Sequence, residues 1–328
     1  MTVFTTLCIT NINKIRLYFF LIQGLKLRKS IKKIRKLVLM TIFLHRHITY
    51  HIAILIGLIC FLTTCSSTRF IYSFVDEFIK DEITYFLDIN EDEKVLLNHQ
   101  VSQMVNWHRS SMLPKYANYL NNIADMLEGE RYSADNIRKI LTNGKFLIEE
   151  TVSGLVPYAS KFLINHQTSE KIKFMENRML NRRQERIIEL SKPKDILYNE
   201  RLDRLTSNFE RFFGDLNDSQ VMILESHTHL TLGDSRVRLH NRTLRQKAFI
   251  RFLRTQPTEV DLTKYLNTLM LKGHIITNPS YQAFSEKSLK RFHSLLVNLL
   301  ATSSTVQRKT IIYKLRNYTK DFIAVSGK

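Results

Sequence analysis

Cysteine is nearly absent from this chain. Its 328 residues hold three, and Cys8 and Cys60 fall within or ahead of an apolar, export-type segment that ends at Cys65. No disulfide can form beyond that segment, so the 264 residues from Cys65 onward must be held by packing alone, and they are numerous enough for one large domain or two small ones. Glycine and proline are scarce at nine and five. The glycines stand alone, which excludes a phosphate-cradling loop, and no Ser or Cys sits in a nucleophile elbow. Apolar runs of about 20, the length a spanning helix needs, are also missing; the run Ile52 to Leu62 has eleven residues. Acids are outnumbered, 30 against 49 Lys and Arg, for a formal net charge of +19. Ten of those bases and none of the acids lie in residues 1–64, leaving +9 on the remainder. That charge comes without a zinc finger, RNP or helix-turn-helix signature, so nucleic acid is not an expected partner. It suits anionic lipid headgroups, lipopolysaccharide or plain solubility.

What the chain does have is an apolar run closed by one thiol, in the string Leu62-Thr63-Thr64-Cys65-Ser66-Ser67. This reads as a bacterial lipobox, with Cys65 the lipidation site that carries the palmitate-bearing anchor. Thr64 is bulkier than the Gly, Ala or Ser usual before the lipidated Cys. Export signals run roughly 15–30 residues, so the signal is expected to begin at Met40, with residues 40–64 as signal peptide and 1–39 as upstream or mis-started sequence. Ser66 is the sorting position: not being Asp, it points to the outer membrane, facing the periplasm. An alternative reading is an inner-membrane protein anchored by an uncleaved Ile52 to Leu62 segment.

Beyond Cys65 the apolar residues recur with helical period and show no strand alternation, so the fold class is all-α, a multi-helix bundle over residues 65–328. Helix one is expected over Thr68 to Leu87, with Phe70, Phe74 and Phe78 every fourth residue and Ile71, Val75, Ile79 and Ile83 beside them. It starts almost at the lipid, so aromatic residues left outside the bundle would rest in the membrane interface. Asn90 with Glu93, and Asn217 with Gln220, have capping-box spacing. Ser111 before Pro114 and Ser133 before Ile137 give softer starts. Further helices are expected at about 91–108, 114–128, 134–143, 145–165, 170–190, 194–213, 218–255, 259–271, 280–301 and 305–324. Kinks are expected at Gly154 with Pro157, and at Gly233.

From the lipobox onward, the order Trp107-His108-Arg109, Leu113-Pro114-Lys115-Tyr116, Ser169-Glu170-Lys171-Ile172 and Phe212-Phe213-Gly214-Asp215-Leu216-Asn217-Asp218-Ser219-Gln220 resembles an uncharacterised family of helical proteobacterial lipoproteins. The resemblance covers about Cys65 to Leu253 and implies a lipid-anchored envelope protein; the family offers no catalytic residue to carry over. The chain departs from it at Ser110-Ser111-Met112, at Thr64 and in the Lys- and Asn-rich tail after Thr255.

Chemical candidates are few. His227 and His229 point about 200° apart on a helix, leaving only Glu225 and His229 on one face, so no metal site is expected. Trp107, His108 and Arg109 form the one candidate ligand site, Trp as a stacking platform and Arg as an anion donor; the simpler reading has Trp107 anchoring two helices. The pairs Asp76-Glu77 and Asp81-Glu82 read as a solvated face. The expectation is therefore a noncatalytic structural or interaction protein without cofactor, bound to membrane through its lipid and its protein partner undefined. The alternative is an envelope enzyme or binding protein with a site around Trp107, Arg109 and His229.

Overall fold

The computed structural model describes residues 67–327, and the lipobox residues Leu62, Thr63, Thr64, Cys65 and Ser66 lie outside them. Helices account for the architecture and no strand occurs among the described residues. In chain order they are α1 (Ser67–Tyr72), α2 (Val75–Phe86), α3 (Glu91–Trp107), a π-helical turn (His108–Met112), α4 (Leu113–Glu128), α5 (Ala134–Leu163), a 3-10 turn (Ile164–His166), α6 (Ser169–Leu190), α7 (Lys194–Phe213), α8 (Asp218–Thr231), α9 (Asp234–Leu253), α10 (Glu259–Leu271), the short α11 (Gly273–Ile276), α12 (Tyr281–Ala301) and α13 (Thr305–Ser326). None is long and apolar enough to cross a membrane.

The starts follow local chemistry. Asn90 and Asn217 make complete capping boxes, accepting from the amides of Glu93 and Gln220, whose side chains return to the cap N–H. Ser133 and Thr168 cap α5 and α6 one way only, accepting from the amides of Asn136 and Lys171. A third box, Ser304 with Gln307, opens α13 and was not among the sequence expectations.

Several expected boundaries move. Helix one breaks at Ser73 and Phe74, where the Ser73 hydroxyl donates to the Phe70 carbonyl at 2.6 Å and competes with the helical ladder. Ser111 starts nothing, because residues 91–128 run on through the π-helical turn. The helices expected at 134–143 and 145–165 are one, and Gly154 and Pro157 do not interrupt it. Pro157 is solvent-exposed, while Val156 and Phe162 are buried in a core. Packing thus offsets the roughly 3 kcal/mol a mid-helix Pro costs. Gly233 does separate α8 from α9.

Two apolar cores fill the bundle. One gathers Leu97, Val101 and Val105 of α3, Ile172 and Met175 of α6, Leu253 of α9 and Leu262 and Leu266 of α10. The other joins Ala124 and Leu127 of α4, Phe213, Leu224, Leu295 and Leu299 to Ile311 and Leu315 of α13. Helix α13 lies along α4, with the Arg316 guanidinium on Asn121, Asp125 and, at 3.0 Å, Glu128.

Two helix starts are also tied together deep in the second core. The buried Gln220 and Gln307, each the returning residue of its own capping box, exchange amide hydrogen bonds of 3.1 and 2.9 Å. Both side-chain oxygens accept twice and Gln307 Nε2 donates twice, its second bond going to the Asp215 carbonyl, while Gln220 Nε2 donates once; buried polar networks of this kind favour one arrangement of their elements.

Candidate functional site

The segment Trp107-His108-Arg109 sits where the helical ladder changes pitch. Pro114 has no N–H to give the Ser110 carbonyl, and the amide of Leu113 instead donates to the His108 carbonyl five residues back. Single π turns of this kind recur at functional sites. Here Trp107 is turned to one side and His108 with Arg109 to another. Trp107 packs onto α5, so tightly that a methyl group built on Gly154 would lie 2.0 Å from its ring. That face of the indole is closed by protein.

His108 and Arg109 turn towards α1. The Tyr72 hydroxyl and His108 Nδ1 share a hydrogen bond of 2.8 Å, the Arg109 guanidinium lies 5.5 Å from the Tyr72 ring centre, and Tyr116 of α4 approaches His108 at 5.6 Å. Tyr116 is itself hydrogen-bonded to Thr151 of α5 and borders Phe322 of α13. Beside this cluster Arg69 pairs with the buried Asp321 at 3.1 Å, fastening α1 to α13. Tyr116 was singled out in sequence only as part of the motif Leu113-Pro114-Lys115-Tyr116, and Tyr72 not at all: Tyr72 lies outside the phenylalanine stripe, and only the fold sets it against His108, 36 residues away.

Burial pushes the Tyr72 hydroxyl pKa up, with Arg109 working against it, and burial holds His108 below the usual imidazole range. At neutral pH the pair is therefore an uncharged hydrogen-bonded couple with a cation beside it. It can fix α1 against the π turn.

His229 lies elsewhere, its ring 4.3 Å from that of Tyr198 and tilted by 31°, and it takes no part in this cluster. Among the described residues, no group of three His, Cys, Asp or Glu can hold a metal.

His108 belongs to a set. His166, fully buried, and His227 are also pulled down, by burial first; the cations Lys171, and Arg201 with Arg291, add to the effect in each case. A histidine whose folded pKa lies below its unfolded value of about 6.5 contributes stability that is complete above that value and is lost as pH falls through the interval. Glu93 adds a later loss: burial would raise its pKa, but the Lys171 hydrogen bond and the Asn90 backbone hold it down. The melting temperature is therefore expected to be flat from pH 8 to 7 and to fall steadily from pH 6.5 to 5. A scanning-calorimetry series that stays level down to pH 5 would rule out the buried neutral histidines.

A second surface feature stands out near the chain's described start. Val75, Ile79 and Ile83 pack on the first core, whereas Phe70, Ile71, Phe74 and Phe78 are 53–70% exposed. The acids Glu77 and Asp81 are exposed as well.

In comparisons with known proteins, residues 85–282 match a family of unknown function, DUF6279. No curated protein and no solved structure matches the chain.

Proposed function

The chain belongs to the DUF6279 family, and from that premise we propose that it is a lipid-anchored lipoprotein of the proteobacterial envelope. It is held through Cys65 on the periplasmic face of the outer membrane and acts without catalysis as a structural or interaction protein. The observation that carries this reading is the exposed ridge of Phe70, Ile71, Phe74 and Phe78. It begins five residues after Cys65, so a diacylated Cys65 would hold these rings at the level of the headgroups. Aromatic side chains are favoured there, and burying one large apolar side chain is worth roughly 1.5–3 kcal/mol. The Ser66 position supports the outer-membrane assignment.

The test is metabolic labelling of cells with palmitate, comparing wild type with Cys65→Ala, and mass spectrometry of the mature N-terminus. Label on a chain beginning at Cys65, absent from the variant, is the expected result. An unlabelled chain that keeps residues 52–62 would replace this reading with an uncleaved signal anchor.

A further inference from the structure

Helices α8 and α12 run antiparallel. Asn217, at the start of α8, donates to the carbonyl of Thr302 just past the end of α12, while Arg291 of α12 reaches Asp234 just past the end of α8 at 2.5 Å. Their facing stripes enclose a groove of about 730 Å³ without a single carboxylate in its lining, within the size range of small-molecule sites. The antiparallel arrangement grades it from end to end. His227 and Leu230 near the end of α8 line the part that holds Lys287, Lys290 and Arg291; further along, Met222, Ile223 and Leu295 lie with Ser219 and Asn298. Met222 is 59% exposed, so the apolar half of the groove is open.

The cationic end has more positive charge than its own acids answer. Asp234 serves Arg291 and, at 3.6 Å, Arg238, and Glu286, one turn before Lys290, accepts from Gln282 instead. Arg201 lies close enough to feel both arginines and instead gives two hydrogen bonds, of 2.6 and 3.1 Å, to the Thr231 hydroxyl. Lys287 and Lys290 make no ion pair among the described residues. Arg291 Nε is buried with no hydrogen-bond partner in the protein, an exception among buried polar groups. A purely solvated basic face would show neither the apolar floor nor the buried, unanswered donor.

We propose that this groove binds an anionic amphiphile, with its phosphate or carboxylate head at Lys287, Lys290 and Arg291 and its hydrocarbon along Met222, Ile223 and Leu295. Guanidinium and ammonium groups are the donors such oxyanions take, and the neutral His227 adds a ring N–H without adding repulsion. The inference is independent of whether Cys65 carries a lipid.

The experiment uses the full chain in phosphatidylcholine nanodiscs and dodecyl phosphate carrying a diazirine at the end of its chain. After irradiation, crosslinks are expected in the peptides of residues 218–231 and 281–301. Excess unmodified dodecyl phosphate should suppress them at least tenfold, while inorganic phosphate and dodecanol should not. Lys287→Glu with Lys290→Glu should lower the yield at least fivefold; Lys309→Glu with Lys320→Glu, exposed on α13 and of equal charge change, should leave it unchanged. Competition by inorganic phosphate alone would show a chainless anion site, and equal competition by dodecanol an uncharged apolar groove. Either outcome, crosslinks placed elsewhere, or a yield that ignores the lysine reversal would overturn the proposal.

Discussion

Replacing Asp234 by Ala is expected to destabilise the protein by about 3 kcal/mol, a fall in melting temperature of roughly 6–12 °C for a chain of this size. Asp234 is 8% exposed and stands among Arg291, Arg238 and Arg201, opposing with its charge the mutual repulsion of the three. Removing one partner of a buried pair typically costs 3–5 kcal/mol because the other is left uncompensated. The low end applies here because the Arg238 side chain is 55% exposed and water screens it. Asp234→Asn, which keeps the size and removes the charge, should cost a similar amount. Adding Arg291→Met to Asp234→Ala should recover part of the loss, since it withdraws a stranded charge whose side chain is only 17% exposed. Urea unfolding of the four proteins measures this, and a loss below about 1 kcal/mol for Asp234→Ala would mean that water already solvates the cluster.

Gly154→Ala should destabilise by about 2 kcal/mol, although Ala is the better helix former by about 1 kcal/mol. The reason is the approach of Trp107, whose ring carbons would lie 2.0 Å from the new methyl group, a separation no pair of carbons tolerates. The clashing atoms belong to a rigid indole wedged between α3 and α5, so either the ring or the helix must move. The same substitution in a Trp107→Leu background should change sign and stabilise by up to about 1 kcal/mol, because the ring that objected is gone. Trp107→Leu alone should cost about 3 kcal/mol from lost packing. A double-mutant cycle in urea reads the coupling, and a Gly154→Ala effect that is the same in both backgrounds would place the cost in something other than the indole.

Much of the helical framework could be read without the structure. The boxes at Asn90 and Asn217 and the cap at Ser133 lie within three residues of the groups they satisfy, so a local string is enough to announce them. The same holds for the ends of α6, α7 and α10, within a residue or so. The candidate Trp107-His108-Arg109 was legible as an unusual cluster but not as a geometry, because the π turn that splays it depends on Pro114 and on what α5 and α1 present to it. The proposed groove was illegible for a related reason. Lys287, Lys290 and Arg291 lie one helical turn apart, but only α8, over fifty residues earlier, turns them into the end of a cleft.

The sequence by itself determined that this chain is helical, where most helices begin, and that apolar periodicity rather than disulfides must hold it, because propensity, capping and period act within a few residues. Which face of each helix is used was decided only in three dimensions. Phe70, Phe74 and Phe78 repeat every fourth residue and would serve a core as well as Val75, Ile79 and Ile83 do, yet only the second stripe packs on the first core and the phenylalanines stay exposed. Likewise α5 runs through Gly154 and Pro157, and Gln220 finds Gln307 across 87 residues. In each case the deciding partner lies far along the chain, and burial of apolar surface against it outweighs a local preference of 1–3 kcal/mol.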